Sequence, residues 1–178
     1  MRERGPNDVV ITGIGVISCI GNDKDSFWRS LIDGTSGAGT IAAFDSTGFG
    51  STIACEVKGY EHHPRLDRRR AKRMARFSQL GCSTGLAAWD DAGLDIEKED
   101  PVRIGCIIGT GAGDYENIEI QHKTLMEKGP VKGHPLAVPK IIPNMASGNL
   151  AIELGVHGPN FAAVSACATG AHTLGVAA

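Results

Sequence analysis

The chain has 178 residues, 42% of them hydrophobic, and its 18 Lys and Arg against 20 Asp and Glu leave a formal net charge of −2. That length suits one domain with a sizeable core. No run approaches the roughly 18 apolar residues that cross a bilayer, and the charged start at residues 1–8 has no apolar stretch behind it long enough for a signal peptide. Five cysteines without paired spacing or a Cys-x-x-Cys argue against a disulfide framework and a zinc site, so a soluble protein of a reducing cytoplasm is expected.

Residues 8–12 form a short apolar run expected as a buried strand, and the glycine-rich turn after it leads to Asn22, the expected N-cap of a helix through Asp33 that Gly34 closes. Phe27, Trp28, Leu31 and Ile32 recur at helical spacing. The irregular stretch 35–63 suits a surface excursion with one strand near 51–57. A long helix is expected over 71–92, with Met74, Phe77, Leu80, Leu86, Ala87 and Trp89 facing inward, Gly81 and Gly85 weakening it, and Gly93 closing it. Residues 103–108 read as a second buried strand and 109–113 as a flexible glycine turn. Helices follow over 114–128, ended by Gly129-Pro130, and over 144–154, ended by Gly155. A third strand over 161–165 runs into Cys167. Strands apolar on both faces alternating with helices predict an α/β fold, a mostly parallel sheet covered by helices, with no internal repeat. Leu174-Gly175-Val176-Ala177-Ala178 carries neither a helix stop nor a polar tail, so a last helix cut in mid-run, and hence a fragment, is expected.

Ser165-Ala166-Cys167-Ala168-Thr169-Gly170-Ala171 places a thiol among very small residues where a strand gives way to a helix. The first N–H groups of a helix are unpaired and its dipole is positive at that end, which stabilises a thiolate placed there. Small neighbours let a carbonyl carbon approach the sulfur, and the cysteine's own N–H can help hold an oxyanion, so Cys167 is a candidate nucleophile. The competing reading is a small buried hydrophobe, since free cysteine usually packs that way. Cys82, in a helical stretch, and Cys106, in an apolar strand run, are expected in the core, and nothing singles out Cys19 or Cys55.

Four blocks in order, Val9-Val10-Ile11-Thr12-Gly13-Ile14-Gly15, Arg103 to Gly111, Ile142 to Gly148, and His157-Gly158-Pro159 with the Cys167 segment, resemble the beta-ketoacyl-acyl carrier protein synthases, most closely the type II elongating enzymes of bacterial fatty-acid synthesis. The resemblance spans essentially the whole chain as one domain, 1–178. It implies the N-terminal half of a thiolase-like, five-layered αβαβα fold. It implies a decarboxylating condensation in which Cys167 takes an acyl group from acyl carrier protein and malonyl carrier protein extends it, both groups being carried on phosphopantetheine. Gly111, Ala112, Leu136, Ala137 and Ala166 match substrate-binding positions. Ala112 stands where relatives often carry isoleucine, and Leu136 and Ala137 where larger aromatics are common, which leaves acyl length open. A cytoplasmic homodimer is implied, with no cofactor, nucleic acid or membrane. The family's decarboxylating histidines, lysine and Gly-Phe-Gly-Gly loop match nothing in these residues, so the chain alone is expected to be inactive. The rivals are a non-catalytic fragment, a chain-length partner subunit, against which alone Cys167 counts, and a polyketide ketosynthase.

Arg65, Arg68, Arg69, Arg70, Lys72, Arg73 and Arg76 are seven of the 18 basic residues. Such a run is ordinarily a solvated face. By resemblance, Arg68, Arg69, Lys72 and Arg73 dock the acidic carrier protein. Thr12-Gly13-Ile14-Gly15 lacks the full G-x-G-x-x-G and its acidic partner, so its glycines are taken as turn and close-packing sites. His172 follows Cys167 by five residues, about 140° off its helix face, and is expected to pack rather than act as a base. His62, His63, His122, His134 and His157 lack metal spacing and are expected on the surface or in turns.

Overall fold

A computed structural model of the protein describes Gly5 and residues 8–178; apart from Gly5 and Asp8, the charged amino-terminal stretch lies outside them. Helices carry the architecture. In chain order these are α1 (Lys24–Ile32), a hairpin of β1 (Gly39–Thr40) and β2 (Ile53–Ala54), α2 (Arg68–Ala71), α3 (Arg76–Asp91), β3 (Cys106–Ile107), α4 (Tyr115–Lys128), α5 (Ala137–Ile141), α6 (Met145–Leu154), β4 (Asn160–Phe161) and α7 (Thr169–Ala177).

The core is the crossing of α3 and α6. Ser78, Cys82, Leu86 and Trp89 follow one another at three- and four-residue steps along the buried side of α3, and α6 answers with Ala146, Leu150 and Leu154. Burying each leucine contributes about 1.5–3 kcal/mol. The glycines expected to weaken α3 are where α6 comes closest: a Cβ on Gly81 would lie 3.3 Å from Ala146 Cβ, and one on Gly85 would lie 3.1 Å from Leu150 Cδ1 and closer still to Cδ2. Their propensity cost, about 1 kcal/mol each against alanine, is offset by packing that a side chain would prevent.

The long helix expected over 71–92 is two helices. Asp67 accepts from Arg69 and Arg70 N–H and starts α2, and the chain then turns extended at Ala75 before α3 begins. Gln79 Nε2 donates to the carbonyls of Ala71 (2.9 Å) and Met74 (3.3 Å), satisfying groups that the break sets free. Other helix limits follow their local signals. Asp114 accepts from Asn117 N–H at the start of α4, and Gly155 ends α6 at φ 72°. For α1 the cap is Asp23 rather than Asn22, whose amide instead donates to the Lys58 carbonyl (2.8 Å). No residue of α1 is buried, and Trp28, Leu31 and Ile32 face outward.

Strands depart most from expectation. In place of a mostly parallel sheet there are, among the described residues, two two-stranded pairs: β1 with β2, antiparallel, and β3 with β4, parallel, with Cys106 opposite Asn160 and Ile107 opposite Phe161. The run 103–108 begins as a 3-10 turn capped by Asp100, and the run 161–165 leaves the ladder after Phe161. Residues 8–12 form no strand, and Val9, Val10 and Ile11 are exposed. The segment lies on α3 instead: Gly15 sits against the Thr84 carbonyl, Gly13 against Ala88 and Ala92, and Ile14 N–H donates to Asp91 Oδ2 (3.0 Å). Apolar composition does not make a strand where no partner edge is presented.

Candidate active site

Cys167 sits in a 3-10 turn, Ala166–Ala168, that runs directly into α7, so the expected helix start is present, whereas the strand expected to lead into it ends at Phe161, with four residues between it and the turn. The turn is made at Ala166, whose φ of 49° is the one positive value of a non-glycine residue among the described residues. A left-handed alanine costs roughly 1–2 kcal/mol, so the surroundings must hold it. Thr169, buried, accepts from Ser165 N–H on its Oγ1 (2.8 Å), and Ala168 N–H donates to the Ser165 carbonyl (3.1 Å). No side chain caps α7; the Thr169 N–H is taken by the Ala166 carbonyl, and the positive end of the helix dipole lies next to Cys167.

Two strands brace this turn from behind. Gly109 follows β3 with such close contact that a Cβ would lie 2.5 Å from Thr173 Oγ1, 2.7 Å from the Ala163 carbonyl and closer still to Thr169 Cγ2. Ser147, fully buried on α6, pins both strands: its Oγ accepts from Ile108 N–H (2.9 Å) and donates to the Phe161 carbonyl (2.8 Å), while Asn160 Nδ2 donates to the Ser147 carbonyl (3.1 Å). Ser147 and Thr169 were not singled out as positioning residues from sequence; a lone serine inside an apolar, small-residue helix was the available signal.

The five thiols fall into distinct settings. Cys167 and Cys55 are exposed, whereas Cys82 and Cys106 are buried. Burial pushes the Cys82 thiol up to about 12 and raises that of Cys106, which keeps both protonated and inert.

Of the substrate-binding positions, Gly111 lies beside Ala166, a Cβ there falling 3.9 Å from the Ala166 carbonyl, and the exposed Ala112 is next in chain. Leu136 and Ala137 begin α5, whose far end touches the same glycine turn where Gly113 meets the Ile141 carbonyl. They stand about 7 Å along the helix axis from that contact. An apolar trough of about 1190 Å³ between residues 10–15, α3, β3, α6 and α7 includes none of these residues and not Cys167.

Arg68, Arg69, Lys72 and Arg73 are exposed on and just after α2, while Arg70 turns away to pair with Glu153 (2.9 Å). Arg68 and Lys72 also edge a recess of about 570 Å³ with Tyr60 and His63. His172, expected to pack within its helix surroundings, is exposed, because α7 presents that side to solvent. His62 and His63 are half-buried rather than surface residues: His62 Nδ1 shares a hydrogen bond with Tyr60 Oη (2.9 Å), and His63 Nε2 lies 3.3 Å from Asp90. Among the described residues no helix is long and apolar enough to cross a membrane.

Cys167 is thus carried, exposed, on a small-residue turn between the parallel strand pair and the start of α7. The profile of the family described as "Beta-ketoacyl synthase, N-terminal domain" matches residues 6–178. The 3-oxoacyl-[acyl-carrier-protein] synthase 2 of Vibrio cholerae serotype O1 (strain ATCC 39315 / El Tor Inaba N16961) is 44% identical over 170 residues, covering 96% of this chain and 41% of that protein. The enzyme of the same name from Staphylococcus aureus (strain COL) is 43% identical over 169 residues, covering 95% and 41%. Among solved structures, the ishigamide ketosynthase/chain length factor superposes with a TM-score of 0.75 at 30% identity, over 87% of this chain and 39% of that one. The fold is thiolase-like. The chain belongs to the beta-ketoacyl synthase family, as its N-terminal domain, and spans about two fifths of the length of these relatives.

Proposed function

We propose that this chain serves a 3-oxoacyl-[acyl-carrier-protein] synthase of fatty-acid elongation and carries its nucleophile. The observation that carries the reading is the exposed Cys167 on the strained Ala166 turn, at the uncapped start of α7. The Cys167 thiolate attacks the thioester carbonyl of an acyl carrier protein, the carbonyl electrons move onto oxygen, and the carrier thiol leaves protonated. Backbone N–H groups at the turn stabilise the oxyanion. Malonyl carrier protein then loses carbon dioxide, and the resulting enolate carbon attacks the acyl-cysteine carbonyl, releasing the Cys167 thiolate and a chain two carbons longer.

Gly111, Ala112 and Ala166 line the acyl group near the sulfur, with Leu136 and Ala137 farther along its path. The absence of side-chain bulk at Ala112 admits long or branched chains. Arg68, Arg69, Lys72 and Arg73 dock the acidic carrier protein, a role supported by their exposure and by the lack, among the described residues, of an ion pair at any of the four. The surrounding enzyme is a cytoplasmic homodimer of five-layered αβαβα protomers. The relatives' names at 43–44% identity support elongation of fatty acids over polyketide assembly.

The test is mass spectrometry of the complete protein after brief exposure to acyl carrier protein carrying a palmitoyl group, and separately to iodoacetamide near neutral pH. Acyl and alkyl adducts are expected on Cys167 first. Prior modification of Cys55 or Cys82, or acylation that persists in Cys167→Ala, refutes the assignment.

A further inference from the structure

We propose that Cys19 and Cys55 form a reversible disulfide that clamps the turn before α1 to the β1–β2 hairpin. Three features bring these sulfurs together although they are distant in sequence. Ser18 and Gly21 close a tight turn at Cys19 through the Ser18 N–H to Gly21 carbonyl bond (2.8 Å). Gly37, just ahead of β1, packs on Cys19: a Cβ there would lie 2.8 Å from Cys19 Cβ and closer still to Sγ. The antiparallel register, Gly39 opposite Ala54, continues to set Cys55 level with Ala38, one residue from that contact. The Asn22 to Lys58 bond ties the two excursions a second time (2.8 Å). Consistent with contact, the Cys55 thiol is raised above its ordinary value, first by hydrogen bonding with the Cys19 thiol.

The two sulfurs differ in access: Cys55 is exposed and Cys19 half-buried. With hydrogen peroxide as oxidant, the Cys55 thiolate attacks one peroxide oxygen, the O–O bond breaks, and hydroxide leaves to take up a proton as water. The Cys19 sulfur then attacks the resulting sulfenic acid, the S–O bond breaks, and a second water leaves with the Cys19 proton. Two thiols and one peroxide thus give one disulfide and two waters, and a dithiol reductant reverses the step. A transient, exposed disulfide of this kind is compatible with a reducing compartment, where a permanent framework is not.

The complete protein is treated with hydrogen peroxide, blocked with N-ethylmaleimide and digested without reductant. The expected result is an intramolecular peptide linking Cys19 to Cys55, which accounts for two of this chain's five thiols and is lost on treatment with dithiothreitol. Since peroxide also reaches Cys167, the linkage is mapped in a Cys167→Ala background as well and is expected there unchanged. The linked protein should melt at least about 4 °C higher than the reduced one, and Cys19→Ser should lose that shift. Separate oxidation of Cys19 and Cys55 without linkage, a link only between molecules, or a linked protein that melts no higher than the reduced one overturns the proposal.

Discussion

Replacing Gly109 with alanine tests whether the nucleophile is held by close packing between β3 and α7. Gly109 is not among the glycines with positive φ, so the added methyl meets a steric obstacle and no backbone one. It would start 2.5 Å from Thr173 Oγ1 and 2.7 Å from the Ala163 carbonyl, where about 3.5 Å is an ordinary separation. Relief therefore requires about 1 Å of movement. A threonine side chain can rotate, but the Ala163 carbonyl is main chain, so the segment that leads into the Cys167 turn must move. Overpacking of this kind costs about 1–3 kcal/mol, and displacing a reacting group by about 1 Å costs on the order of 100-fold in rate. Urea denaturation reads the first quantity, and quenched-flow mass spectrometry of Cys167 acylation the second. Gly50→Ala is the control, because an added Cβ there meets nothing within 4 Å and its φ is not positive, and it should stay within about 0.5 kcal/mol of the parent. If Gly109→Ala matches Gly50→Ala in both assays, the bracing of the turn by β3 is wrong.

Ser147→Ala should lower stability by about 1–3 kcal/mol in a denaturant titration, since it strips a fully buried partner from Ile108 N–H and the Phe161 carbonyl; a loss under about 0.5 kcal/mol would show that the strand pair does not depend on it. Charge reversal at Arg69 and Lys72 should weaken carrier-protein binding at low salt and leave acylation of Cys167 by a small acyl-CoA intact, and equal losses in both would point to misfolding instead. The Asp91 carboxylate is held below its ordinary value of 3.8, first by the Lys24 ammonium and then by Ile14 N–H. A depressed pKa contributes stability that is complete above the unfolded value and lost as the pH falls through the folded one. Amide exchange at Ile14 should therefore quicken as the pH drops below about 4, relative to the intrinsic rate, and Asp91→Asn should abolish that dependence.

Helix limits were legible because their causes are local. Asp114, Gly129, Gly155 and Gly93 act within a turn of their own backbone, and all four mark observed ends. The break between α2 and α3 was not legible, since it depends on Gln79 reaching back to Ala71 and Met74 once the chain has folded. Gly81 and Gly85 were read correctly as poor helix formers. Their use became clear only when α6 was placed against them.

The sequence by itself determined the chemistry on offer: a cysteine among residues too small to hide it, a helix beginning just beyond, a basic run, and two further cysteines, one in a helical stretch and one in an apolar run. These follow from composition and short-range backbone preference. Only the tertiary structure decided how much strand would form, because a ladder joins Cys106 to Asn160 across distant sequence and no run of apolar residues supplies its own partner. It also decided that Cys167 stands exposed on a left-handed alanine. That conformation is unfavourable alone and persists because Thr169 and Gly109, on either side of the turn, leave the backbone no easier course.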